Sequence, residues 1–304
     1  MLSFLIGTAA NGVVGKIHAR MPVILLKEDE DVSAEKPIVQ SYYDRNVEHE
    51  WGRLDNPLGR IEFASTLRLI EQHFPHSAHV CDIGGGPGRY TIELLKRGYP
   101  TTLVDFSEEE IAYAQHRIAE LKLQANGLWV ADARDLHMLG DTAFDAVLSL
   151  GPMYHIVDPN NRITALHELR RILKPQGIAI VAYLNSWGLL RTGVNDFPQR
   201  FETPVFPRSL LGERVWSGNE LSGFTECYWS TPPLALTEVQ EAGFEAVTYI
   251  GAEGFASGLG PQLEHLMRDN PAAYNNVVQM AAETSELPQY RDACDHLHIV
   301  VRKR

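Results

Sequence analysis

Cysteine is scarce in this sequence. The three present, Cys81, Cys227 and Cys294, are odd in number, far apart and free of any C-x-x-C spacing. That excludes a disulfide framework and a cysteine zinc site, and it suits a reducing compartment. Long apolar runs are lacking as well. The longest early one, Leu2 to Val14, contains Asn11, follows no basic residue and is too short to span a bilayer. Neither a secretory signal nor a transmembrane helix is expected, so the expected location is cytoplasmic, with no membrane partner. Basic residues are in deficit: 27 Lys and Arg against 39 Asp and Glu give a formal net charge of −12. An acidic chain repels phosphate backbones, so nucleic acid is not an expected partner. There is no H-x-x-x-H, no H-E-x-x-H and no internal repeat, and no metal is expected.

What is present is ordinary globular material: 304 residues, 44% hydrophobic and 22% charged. The length allows one large domain or two smaller ones. Residues 1–36 read as a loosely specified N-terminal extension, with a charge run from Lys27 to Asp31. From Pro37 the chain turns amphipathic, with Tyr42, Tyr43 and Trp51 in a helical stretch. Ile61, Ala64, Leu67, Ile70 and Phe74 then recur at helical spacing.

Strand and helix alternate after that. Short apolar runs at His79–Ile83, Thr101–Phe106, Gly127–Ala131, Phe144–Leu150 and Ile178–Leu184 read as strands. The helices between them begin at Tyr90, at Ser107 and before Ile163. Gly98 stops the first, and Pro175 and Gly177 end the third. Ser107 followed three residues later by Glu110 reads as a capping box. Continuous apolar strands separated by helices predict an α/β fold, a doubly wound and mostly parallel sheet with both faces covered. Residues 186–232 break the rhythm. They hold Trp187, Phe197, Phe201, Phe206, Trp216, Phe224, Tyr228 and Trp229, about twice their even share of aromatics, and read as an inserted lid and substrate wall. Beyond them, Thr237 and Gln240 suggest a helix start, Phe244–Ile250 a strand, 261–285 a helix and His296–Val301 a last strand.

The sharpest motif is Val80-Cys81-Asp82-Ile83-Gly84-Gly85-Gly86-Pro87-Gly88. A strand ends in an acid, and a glycine loop leads into a helix, where open α/β sheets bind ligands. A dinucleotide fingerprint G-x-G-x-x-G/A fails: its sixth position is Arg89 counted from Gly84 and Thr91 from Gly86. No P-loop is present. What stands is D-x-G-x-G-x-G.

That pattern resembles motif I of the class I S-adenosylmethionine (SAM) dependent methyltransferases. Leu103-Val104-Asp105-Phe106-Ser107 is similar to the second-strand motif, and Val130-Ala131-Asp132-Ala133 to the third. Phe144-Asp145-Ala146-Val147-Leu148 resembles motif IV, and Leu173-Lys174-Pro175-Gln176-Gly177 the turn before strand five. Motif IV continues as Gly151-Pro152-Met153-Tyr154-His155, which resembles the type 11 small-molecule branch with its G-P-[LM]-Y-H signature. Tyr42-Tyr43-Asp44 is similar to that branch too. The polar residue of the DNA and protein amino-methylating enzymes is replaced here by Gly151.

The resemblance implies a Rossmann-like methyltransferase fold over 37–304, with seven strands and the last one antiparallel. It implies SAM as cofactor, held by Asp82, Gly84, Gly86 and Gly88 at the methionine part, Asp105 and Phe106 at the ribose, Asp132 and Ala133 at the adenine, with Leu150 and Tyr43 lining the site. It implies methyl transfer to a small organic acceptor carrying an O, N or C nucleophile. His155 and Tyr154 are the candidate catalytic residues, His155 as the base and Tyr154 packing on SAM or lining the pocket. Two other readings stay open: a SAM-binding regulatory protein without transfer activity, and an NAD(P)-dependent oxidoreductase, against which the broken fingerprint counts.

Overall fold

The computed structural model describes residues 36–217 and 225–304. The expected N-terminal extension therefore lies outside the described residues, apart from Lys36, as do Phe224 and the segment 218–224 of the expected lid.

Nine strands are present among the described residues: β1 Val80–Ile83, β2 Thr101–Asp105, β3 Gly127–Val130, β4 Phe144–Ser149, β5 Leu173–Asn185, β6 Val215–Trp216, β7 Cys227–Ser230, β8 Phe244–Gly251 and β9 His296–Lys303. Seven of them form the main sheet in the order β3-β2-β1-β4-β5-β9-β8. β1 to β5 pair in parallel, and β9 runs antiparallel between β5 and β8. The expected doubly wound sheet, with its last strand reversed, is what the chain builds.

Burial explains why these strands were legible. β1 and β2 are buried at every position, and β4 at all but Asp145. Successive side chains point to opposite faces, so Cys81 and Ile83 join Val104, Val147 and Leu169 in one core cluster. Val80 joins Leu69, Ile70, Leu94 and Leu148 in the cluster on the other face. Helix 57–73 covers that second face. Asn56 caps it by accepting the Gly59 N–H at 2.8 Å, and Pro57 occupies its first turn.

Three details differ from the sequence expectation. Leu173 closes no helix: it opens β5, which pairs with Phe144, bulges through Gln176 at φ 64° and rejoins β4 at Ile178. The helix expected to start at Thr237 runs from Pro232 to Glu241, because prolines pre-set its first turn. The stretch 261–285 holds two helices, Gly260–Asp269 and Pro271–Glu283, since a proline cannot continue the first.

The aromatic segment is less irregular than its composition suggests. It contains helices Ser186–Asp196 and Val205–Leu211 and the β6–β7 hairpin. β7 joins the sheet through Leu184 and Asn185, on the edge of β5 that β4 occupies lower down. The segment thus stands on the carboxyl edge of β4. It has its own core, where Phe206 meets Phe197, Phe201, Trp216 and Trp229 edge-on at ring-centroid distances of 5.6, 5.8, 6.1 and 5.7 Å. Trp187 stays outside it, 43% exposed.

Candidate cofactor and acceptor site

The carboxyl ends of β1, β2 and β4 open into a cavity of about 450 Å³. Asp82, Gly84, Gly86, Asp105, Phe106, Asp132, Ala133, Leu150, Tyr43, Tyr154 and His155 all line it; of the candidate cofactor and catalytic residues Gly88 does not, nor do Trp187, Phe201 and Tyr228 of the expected substrate wall. The three glycines serve different ends. A Cβ on Gly84 would lie 2.6 Å from the Pro152 ring, and one on Gly88 would lie 3.1 Å from Ala114 Cβ, so both allow close packing. Gly86 sits at φ 55°, and a Cβ there would meet only Glu110 Oε2, at 3.9 Å. Its open side is the space a ligand would use.

The acids around this loop are buried. Asp82 Oδ2 accepts the Thr91 hydroxyl proton at 2.7 Å, and burial pushes its carboxyl up to about 6. Asp105 accepts the Gly86 N–H at 2.8 Å and the Ser107 N–H at 2.9 Å, tying the loop to the end of β2. Burial raises it to about 6 as well, against the pull of those N–H groups. Asp132 takes the Arg134 N–H at 2.8 Å and faces the Arg134 guanidinium.

Sequence reading passed over Glu110 as a helix cap. It lines the cavity, is fully buried, and neither carboxyl oxygen has a hydrogen-bond partner. Burial and the nearby Asp105 push it up to about 10. Buried carboxyls and an orphaned one facing a cavity fit a ligand that brings positive charge and hydroxyl groups. SAM, with its sulfonium and its ribose, is such a ligand.

The N-terminal helices close the cavity from above. Gln40 donates to the Phe106 carbonyl at 3.0 Å, and the Ser107 hydroxyl donates to Asp44 at 2.6 Å. Arg89 grips Asp55 through two nitrogens and donates to the Trp51 carbonyl. This docking delivers Tyr43, whose hydroxyl lies 2.6 Å from His155 Nε2. His155 Nδ1 lies 3.2 Å from the Glu226 carbonyl. A carbonyl only accepts, so Nδ1 carries the proton and Nε2 accepts from Tyr43. Both nitrogens are engaged, and burial holds the imidazole down at about 4. Arg162 fixes the turn beyond, donating to the Ile156 and Val157 carbonyls and to Glu238.

A second histidine was missed in the sequence. His296, the first residue of β9, lines the same cavity, with Tyr154 between it and His155 at ring-centroid distances of 6.5 and 4.7 Å. Its Nδ1 lies 2.6 Å from Oε1 of the fully buried Glu253, which also receives the His296 N–H at 3.3 Å. The alternation His296-Leu297-His298 in an apolar strand was the available signal. His298, two residues on, is buried with Nδ1 3.0 Å from the Thr66 hydroxyl. Glu62, Glu253 and His296 also bring one ligand atom each within 4.8 Å of one another. Arg53 pairs with Glu62 at 2.9 Å, so this corner is an ion-pair network. The opposite wall is Leu189, Phe197, Phe206, Trp216 and Trp229.

Comparison with known proteins gives these residues a context. Residues 80–177 match the methyltransferase-domain family. The chain is 31% identical over 160 residues to a glycine/sarcosine N-methyltransferase of Parasynechococcus marenigrum, covering 51% of this chain and 55% of that one. It is 36% identical over 104 residues to a ubiquinone biosynthesis O-methyltransferase of Caulobacter vibrioides, covering 34% of this chain and 40% of that one. The chain thus spans about half the length of the first curated relatives it matches. Among solved structures, the Burkholderia thailandensis 1,6-didemethyltoxoflavin-N1-methyltransferase, with bound 1,6-didemethyltoxoflavin and S-adenosylhomocysteine, shares the fold. Its TM-score is 0.54 at 17% identity, over 90% of this chain and 93% of that one. A SAM-dependent methyltransferase of Methanosarcina mazei gives a TM-score of 0.53 at 17% identity, over 77% and 96%. Residues 80–177 therefore match a methyltransferase domain, and the sheet that carries them has the fold of solved SAM-dependent methyltransferases.

Proposed function

We propose that this protein transfers a methyl group from SAM to a small organic acceptor. The observation that carries the reading is the convergence of a glycine loop, two buried acids at the ends of β1 and β2 and an aromatic wall on one cavity. SAM, when bound, supplies an electrophilic methyl group for one-step displacement. The chain's own part is to bind, orient and exclude water, which is worth about 7–11 kcal/mol when the reacting geometry is good.

Within this proposal Asp82, Gly84 and Gly86 receive the methionine part, Asp105 and Phe106 the ribose, and Asp132 and Ala133 the adenine, where Arg134 must share its carboxylate. Gly88 contributes through helix packing. The aromatic wall receives the acceptor's ring or apolar chain. Tyr43 and Tyr154 line the meeting point. A protonated acceptor needs a base, and His155 and His296 are the two candidates. His155 Nε2 is held by the Tyr43 hydroxyl, so its part is to position Tyr43 and the wall. His296 fits better: Glu253 holds its Nδ1, so in the neutral ring Nε2 would be the acceptor. The acidic chain favours a reaction without nucleic acid. The three cysteines, all free and buried, favour a reducing, cytoplasmic setting, and among the described residues no helix is long and apolar enough to cross a membrane.

Isothermal titration with SAM, S-adenosylhomocysteine and NAD tests the cofactor assignment. The expected result is binding of the first two and no heat from NAD. Binding of NAD alone would favour the oxidoreductase reading.

A further inference from the structure

Glu110 stands in the first turn of helix Glu108–Glu120, yet its side chain takes no part in capping that turn. The Ser107 hydroxyl accepts the Glu110 N–H at 3.1 Å, one half of a capping box. The other half would return the Glu110 carboxyl to the Ser107 N–H. Asp105 Oδ1 already holds that N–H, at 2.9 Å. Released from capping, the Glu110 carboxyl lines the cavity beneath the glycine loop, with Oε2 3.9 Å from where a Gly86 Cβ would stand. It is fully buried, and both oxygens lack a hydrogen-bond partner. A buried polar group left unsatisfied is costly, and native chains retain few of them without a use.

The neighbourhood defines what the group can offer. Asp105, Glu50 and Asp44 are the charged groups acting on Glu110, and all are acidic. With burial they keep it protonated at neutral pH. A protonated carboxyl donates one hydrogen bond and accepts another. Asp105, titrating lower, is ionised under the same conditions and only accepts. One accepting and one donating carboxyl, both beside Gly86, match a vicinal diol, whose hydroxyls each donate and accept.

We propose that Glu110 is a second ribose-recognition group, which hydrogen-bonds a hydroxyl of the nucleoside beside Asp105. The proposal rests on the SAM-binding reading above. It makes this carboxyl a device kept for ligand binding at the expense of the ligand-free fold.

The test uses the full chain as wild type, Glu110→Met and Glu110→Gln. Titration calorimetry is run with S-adenosylhomocysteine and with its 2′-deoxy and 3′-deoxy counterparts, and each ligand-free protein is melted. Met keeps the length without polar atoms; Gln keeps a donor and an acceptor. Glu110→Met is expected to weaken S-adenosylhomocysteine binding at least about tenfold while raising the melting temperature of the ligand-free protein. For one of the two deoxy ligands, wild type and Glu110→Met should bind alike. Glu110→Gln should restore most of the lost affinity. Unchanged S-adenosylhomocysteine affinity in Glu110→Met overturns the proposal. So does an equal loss for all three ligands, or a fall in melting temperature without a change of affinity. A wild-type protein that ignores S-adenosylhomocysteine overturns the cofactor reading itself and this proposal with it.

Discussion

Replacing the loop glycines one at a time with alanine separates ligand space from packing. Gly86 sits at φ 55°, where an L-residue costs about 1–2 kcal/mol. Its Cβ has only Glu110 Oε2 near it, at 3.9 Å, so nothing in the fold resists the methyl group. Gly86→Ala should therefore fold with a melting temperature lowered by a few degrees. It should lose at least about tenfold in S-adenosylhomocysteine affinity, because the methyl group fills the open side of the loop. Gly88→Ala inverts the pattern. Its φ of 84° adds the same strain, and the Cβ would lie 3.1 Å from Ala114 Cβ on a packed helix. Left-handed strain plus crowding of this kind comes to about 2–5 kcal/mol, with the cavity untouched. Gly84→Ala belongs at the upper end of that range, since its Cβ would stand 2.6 Å from the rigid Pro152 ring. Urea melts and titration calorimetry on the three variants read both quantities. Wild-type affinity in a folded Gly86→Ala, or a Gly88→Ala that loses affinity without losing stability, would refute this assignment of the loop.

Asp105→Ala should both weaken S-adenosylhomocysteine binding and lower stability, because it orphans the Gly86 and Ser107 N–H groups at about 1–3 kcal/mol each; a melt and a titration that change neither would remove Asp105 from the site. SAM affinity should rise with pH through about pH 5 to 6 and level off above about pH 7. Burial holds ligand-free Asp82 and Asp105 at about 6, and a sulfonium favours their ionised forms, so binding releases protons below that point. Calorimetry across this range checks the sign, and Asp82→Asn should reduce the slope. For methyl transfer to a hydroxyl or ammonium acceptor, His296→Asn should lower turnover by about 10²–10⁴ with SAM affinity unchanged, whereas His155→Ala should act mainly on acceptor KM. The reverse pattern would return the base to His155.

The parts of this fold that were legible in the sequence are those where burial is two-sided. β1, β2, β4 and β5 read as apolar runs because helices cover both faces of the sheet, and the acids that end β1 and β2 stood out against those runs. Local capping was read less well. Thr237 and Gln240 offered a cap pattern that Pro232 overrode from five residues upstream. Glu110 fitted a capping box, but the Asp105 carboxylate had already taken its target N–H, a competition that spacing alone does not reveal. The missed histidine depends on distance along the chain. His296 becomes a candidate only beside Glu253, 43 residues earlier, which the turn after β8 brings to the same corner. The aromatic segment showed its composition but not its attachment, because the parallel pairing of β7 with the tip of β5 rests on two residues.

Methyl transfer from SAM to a small acceptor is read out by mass spectrometry. The purified protein is incubated with trideuteromethyl-labelled SAM and a small-molecule extract, and labelled products and S-adenosylhomocysteine are followed together. One or a few small molecules should acquire the labelled methyl group, with S-adenosylhomocysteine appearing at the same rate, and Gly86→Val should transfer none. SAM bound in the same preparation, with no labelled product and no S-adenosylhomocysteine above the protein-free control, would contradict this activity.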